Sequence, residues 1–155
     1  MLSVIIDSSK IILEYLQTIV PELPCRRSYD PITSITELKM VGKPIVLVVP
    51  VERIGTLFRD GGVLKNDLIF DIVVNSKLQN TDEPTLLVSE IDDLMLTVEK
   101  IFAAFQKITL KNDEYNMEVH LIDSEHFVLN DVEMIRENNC FLSAIRVNTK
   151  VFVNS

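Results

Sequence analysis

Tryptophan is absent from this 155-residue chain, glycine occurs four times, and cysteine and histidine occur twice each. So little glycine and no tryptophan argue against a glycine-rich phosphate cradle and against a set of aromatic platforms for stacking bases. Cys25 and Cys140 have no CxxC partner and no neighbouring histidine, so neither a zinc site nor a disulfide framework is suggested and reduced thiols are expected. Positive charge is also scarce. Lys and Arg number 15 against 23 Asp and Glu, and the net charge of −8 has the wrong sign for gripping nucleic acid with the whole surface. The opening MLSVIIDSSKII lacks the basic, then apolar, pattern of a secretory leader, and no apolar run is long enough to span a bilayer. A soluble protein made in the cytoplasm, with no membrane partner, is the expectation.

What is present is ordinary globular material. Apolar residues make up 47% and charged residues 25%, which excludes disorder and, at this length, supports one core in a single domain over residues 1–155. From Ser8 to Val20, Ile11, Ile12, Tyr15, Leu16 and Ile19 recur at helical spacing, with Asp7 or Ser8 as cap and Pro21 as terminator. The proline-bearing stretch that follows reads as an extended connector to about Thr36. Ile45 to Val51 is a β-branched strand whose Pro50 places it at an edge, a bulge or a strand end. Residues 68 to 77 alternate as a half-buried antiparallel strand and form its natural partner.

Between these two strands lie residues 52 to 67, read as a long loop with Gly61-Gly62 at its tip and Arg53, Arg59, Asp60 and Lys65 displayed along it. The longest helical signal spans Pro84 to Lys107, with Ile91, Leu94, Val98, Ile101, Phe102 and Phe105 on one stripe. Short strands at 115–122 and 127–129, a turn or short helix at 131–139, and a final alternating strand at 142–153 complete the order. The expected fold class is α+β: a mostly antiparallel sheet with two main helices packed on one face.

Catalytic signatures are thin. His120 and His126, with Asp123 and Glu125 between them, are the one grouping that raises a metal-dependent hydrolase, but they lack an HExxH or comparable spacing. Surface strand and turn is the plainer reading, and no cofactor is expected. Glu90, Asp92 and Asp93 suit a solvated helix face. No serine sits in a GxSxG elbow, and neither cysteine has a visible activating base. Arginines at 26, 27, 53 and 59, an extended proline arm and a strand edge are instead features that contact other chains.

The run Arg27-Ser28-Tyr29-Asp30-Pro31, then Ile35 to Leu38, Val46 to Pro50, Arg53, Arg59-Asp60-Gly61, Asp67 to Val74, and the closing stretch from Phe127 to Phe152 resemble, in matching order, a family of tailed-phage proteins. These are the tail terminators and the neck or tail-completion proteins. The resemblance covers nearly the whole chain, through spaced hydrophobics, arginines and a Tyr-x-Pro step, with no catalytic motif. One departure is Val51, where a basic residue often follows the strand proline. The likeness implies a structural virion protein rather than an enzyme, located at the neck or tail and assembled in the host cytoplasm. It implies a homo-oligomeric, commonly sixfold ring that caps the tail tube, meets the head connector and lets DNA pass its lumen without specific binding. Arg26, Arg27, Tyr29, Arg53, Arg59, Asp60 and Lys65 are the expected interface residues. The alternatives are the hydrolase above and a partner-binding adaptor unrelated to phage.

Overall fold

The computed structural model describes residues 3–31, 43–60 and 63–154. Among these described residues nine elements follow one another: α1 (Val4–Ile19), β1 (Cys25–Arg27), β2 (Ile45–Asp60), β3 (Val63–Lys77), α2 (Pro84–Ala104), β4 (Thr109–Asn112), β5 (Met117–Val128), α3 (Val132–Asn138) and β6 (Cys140–Asn154). The strands form one six-stranded sheet in the order β1-β2-β3-β6-β5-β4. Every pairing is antiparallel except β1 with β2. The α+β class is therefore correct.

Helix α1 begins a turn earlier than its stripe suggests. Ser3, not Asp7 or Ser8, is the cap: its hydroxyl accepts from the Ile6 amide, while the Asp7 carboxylate accepts from the Ser3 amide. The Ser8 and Ser9 hydroxyls donate backward to the Val4 and Ile6 carbonyls instead. The α1 helix touches both β1 and β4, the two ends of the strand order, so the sheet curls around it. Helix α2 ends at Ala104, before the expected Lys107, because the Phe105 amide closes the last turn on Ile101 and Phe102 and Lys107 takes a positive φ of 43°. The Tyr15 hydroxyl donates to the Ala104 carbonyl at 2.6 Å, giving one of the orphan carbonyls of that helix end a partner.

One apolar cluster joins Ile12 and Leu16 of α1, Val98 and Ile101 of α2, and the inward residues Val48, Phe70, Ile72, Val119, Ile145 and Val151 of the sheet. Phe105 is fully buried in it, edge-on to Tyr15 with ring centroids 5.1 Å apart. Phe102, placed on the same stripe by sequence, is only partly buried; it stacks on His126 at 4.2 Å. A smaller cluster of Leu47, Val49, Val73, Leu142 and Ala144 lies on the opposite face, where Met134 of α3 packs against it. Strand β3 is thus buried on both sides from Leu68 to Ser76.

Three expectations need correction. The span from 52 to 67 is not a loop: β2 and β3 stay paired outward to Asp60↔Val63, and β3 is paired with β6 along its whole length, Val63↔Asn154 to Lys77↔Cys140. The strand signal was masked because β2 carries irregularities after Pro50 and after Ile54, which break its alternation. The Gly61-Gly62 tip lies outside the described residues. Second, the connector after Pro21 contains β1, parallel to β2 through Cys25↔Val46 and Arg27↔Val48; its continuation over 32–42 lies outside the described residues. Third, the two short strands at 115–122 and 127–129 are one bulged strand, β5, and the short polar strand β4, in which Leu110 is the single apolar residue, pairs beside it.

Candidate functional site

Strand β2 changes character at Pro50. Among the described residues its outer edge is held by β1 from Val46 to Val48, with the Ser28 amide donating to the Val48 carbonyl at 3.0 Å. From Pro50 to Asp60, among the described residues, β2 pairs with β3 alone and its other edge is open. Proline is accommodated there because it has no amide to offer a ladder and sits beside a bulge: Pro50 faces Phe70 and Glu52 faces Ile69, leaving Val51 extra and 41% exposed. A second irregularity sets residues 55–57 against Asn66 alone.

The bulge opens a groove of about 210 Å³ between α1, the start of the proline arm and β2, lined by Ile5, Tyr29, Val51, Arg53, Leu68 and Phe70 among others. Two expected interface residues, Tyr29 (70% exposed) and Arg53, therefore share one groove. Arg27 stands next to them but is engaged internally: its Nε donates to Ser9 Oγ at 2.6 Å and its Nη2 to the Tyr29 hydroxyl at 3.4 Å, tying β1 to α1. Arg26 is exposed opposite Leu47, on the other face of the sheet. Arg59 and Asp60 stand at the end of the β2 ladder, paired with Leu64 and Val63; their side chains lie outside the described part. Lys65 does not line the groove; its Nζ lies 5.9 Å from the centre of the Phe152 ring.

The open face of the sheet carries polar structure that the sequence did not advertise. Arg146 Nε and Nη2 donate to the two Asp71 oxygens at 3.0 and 3.1 Å, a two-pronged pair across β3 and β6 with the Asp71 side chain 10% exposed. That carboxylate pushes the Arg146 guanidinium further toward its charged form, chiefly through the hydrogen bonds and against the cost of burial. Farther along, His120 Nε2 lies 3.1 Å from Glu118 Oε2 and His120 packs edge-on against Phe152. The hydrogen bond to His120 holds the Glu118 carboxyl below its usual range, with Lys111 helping and desolvation opposing. Alternation along 68–77 and 142–153 puts Asp71 and Arg146 on the polar side of each strand; only the register Asp71↔Arg146 brings them together.

The histidine grouping is taken apart by the fold. The shift in β5 between Leu121 and Asp123 reverses its phase, so that His120 (facing Lys150) is on the open side and His126 (facing Ile145) is on the core side, stacked on Phe102. Asp123 accepts from Asn148 Nδ2 instead. Among the described residues no group of three or more His, Cys, Asp or Glu could hold a metal ion. The Cys25 thiol is pushed up to about 11, mainly by burial and further by Glu22; burial also raises Cys140, whose Sγ donates to the Asn138 carbonyl at 3.2 Å. No helix among the described residues is long and apolar enough to cross a membrane. No family model matches the chain, and no curated protein matches it.

Proposed function

We propose that this chain is a structural subunit of the neck or tail terminus of a tailed phage, closing a ring on the last ring of the tail tube and offering its other side to the head connector. In this reading α1 and α2 cover one face of the sheet and leave its edges and opposite face for contacts between subunits. The observation that carries the proposal is the β2 edge from Pro50 to Asp60, left unpaired among the described residues and flanked by a groove that brings Tyr29 and Arg53 together. An unpaired strand edge offers a row of backbone donors and acceptors, and joining different patches head to tail is how identical subunits close a ring. The chemistry is binding and closure, with no cofactor. The sixfold copy number, the partners and the virion location rest on the sequence resemblance.

Light scattering and negative-stain microscopy of the purified chain, alone and mixed with purified tail tubes, test this. Rings in solution or capping the tube ends are expected. A chain that stays monomeric at all concentrations and does not bind tubes would refute it. Replacing Arg53 and Arg59 with Ala should leave monomer stability within about 0.5 kcal/mol while impairing ring formation or attachment.

A further inference from the structure

Two surface patches outside the groove are complementary. The first lies on the open face, where Phe152 is partly exposed among Lys65, Lys111, Lys150 and His120. Lys65 and Glu118 are its register partners on the adjacent strands, and Lys150 is two residues away on the same side. Glu118 and Asp67 are the acids of this patch; Glu118 is bridged by Lys111 at 3.6 Å and by His120. The three lysines therefore leave a positive surplus around an aromatic centre, on a chain whose net charge is −8.

The second patch is the outward side of α2. Leu96 is 65% exposed, more than any other leucine of the helix. At one helical turn before it stand Asp92 and Asp93, and at one turn after it Glu99 and Lys100, all exposed. This is an apolar centre with three acids and one cation around it. The inward side of α2 enters the same cluster as Val151 and Val153, whereas Phe152 points to the opposite face, so the two patches lie on opposite sides of the sheet.

We propose that these patches dock on each other between copies of this chain: the Leu96 patch of one subunit sits on the Phe152 patch of the next, with Asp92, Asp93 and Glu99 meeting Lys65, Lys150 and Lys111. Two different patches on opposite sides cannot make a two-fold dimer contact; they make a head-to-tail one, which closes into a ring or continues as a filament according to the rotation between them. An exposed leucine against an aromatic removes apolar area from water, and the surrounding charges fix register and repel a wrong approach. The inference rests on the self-assembly reading above and names the surfaces that carry it.

Charge reversal in trans tests it. Sedimentation velocity would compare the unmodified chain, Lys65→Glu/Lys150→Glu, Asp92→Lys/Asp93→Lys, and an equimolar mixture of the two variants, with circular dichroism confirming the fold of each. The unmodified chain should associate, more weakly as salt rises above about 0.15 M, where screening already limits each charge to roughly 8 Å. Each variant alone should associate at least about tenfold more weakly, because every junction now pairs like charges. The mixture should regain association, since both alternating junctions then pair opposite charges; should a reversed variant not fold, Lys65→Gln/Lys150→Gln and Asp92→Asn/Asp93→Asn must each weaken association. Assembly of the unmodified chain with no change in the folded variants would overturn this pairing and leave the ring reading standing. Failure of the unmodified chain to associate, alone or on tail tubes, would overturn both.

Discussion

Truncating Phe105 and Phe102 separately separates the buried side of α2 from its flank. Phe105 is fully buried, is edge-on to Tyr15 and belongs to the same cluster as Val98 and Ile101. Removing its ring leaves a cavity as well as losing the transfer energy, and Phe→Ala at such a site costs about 3–5 kcal/mol. Phe102 is partly exposed, and its main aromatic contact is the exposed ring of His126. Water can fill the space it vacates, so no cavity term adds, and the alanine keeps part of the area; at about 25 cal/mol per Å² over roughly 100–120 Å² of buried area lost, Phe102→Ala costs about 2.5–3 kcal/mol. For a chain of this size each kcal/mol moves Tm by roughly 2–4 °C, so at the middle of that range Phe105→Ala should melt about 12 °C lower and Phe102→Ala about 8 °C lower. Urea unfolding followed by circular dichroism gives both values, with equal slopes confirming that the unfolded states compare. Equal losses for the two variants, or a greater loss for Phe102, would refute the assigned orientation of α2.

The Asp71–Arg146 pair should behave as a largely buried one. Arg146→Ala, which strands the Asp71 carboxylate, should cost about 1.5–3 kcal/mol in urea, and adding Asp71→Asn should recover part of that loss. His120→Ala removes the hydrogen bond that holds Glu118 low, so the Glu118 carboxyl should titrate higher in the variant when followed by NMR. The Cys25 thiol, pushed up to about 11, should react slowly with iodoacetamide near neutrality and accelerate only as the pH approaches that value. Because its folded-state pKa is raised above the unfolded one, its contribution to stability is complete below the unfolded pKa and is lost as pH rises through the folded pKa. Urea midpoints should therefore fall between about pH 9 and 11, less so in Cys25→Ala. Finally, with a net charge of −8 the isolated chain should show no appreciable duplex DNA binding by fluorescence anisotropy at about 0.15 M salt. Salt-sensitive micromolar binding would instead make the lysines around Phe152 phosphate contacts.

Local periodicity was enough to find α1, α2 and the pairing of 45–51 with 68–77, because a stripe at helical spacing or a two-residue alternation is written in neighbouring residues, whereas 131–139, read as a turn or short helix, is resolved as α3 by the fold. It also placed Pro50 among strand irregularities, where the fold has its first bulge. It could not show that 52–67 is strand. The shifts after Pro50 and Ile54 disrupt alternation, and the β3 part of the span is held by pairing to β6, more than eighty residues away. Nor could it place the candidate sites. Tyr29 and Arg53 share a groove only because β1 adds parallel to β2, and His120 and His126 part only because a bulge reverses the phase of β5. Composition and order along the chain determined the α+β class and the acidic surface; register, bulges and the curl of the sheet around α1 decided which side chains meet, since each depends on contacts between residues that no local pattern links.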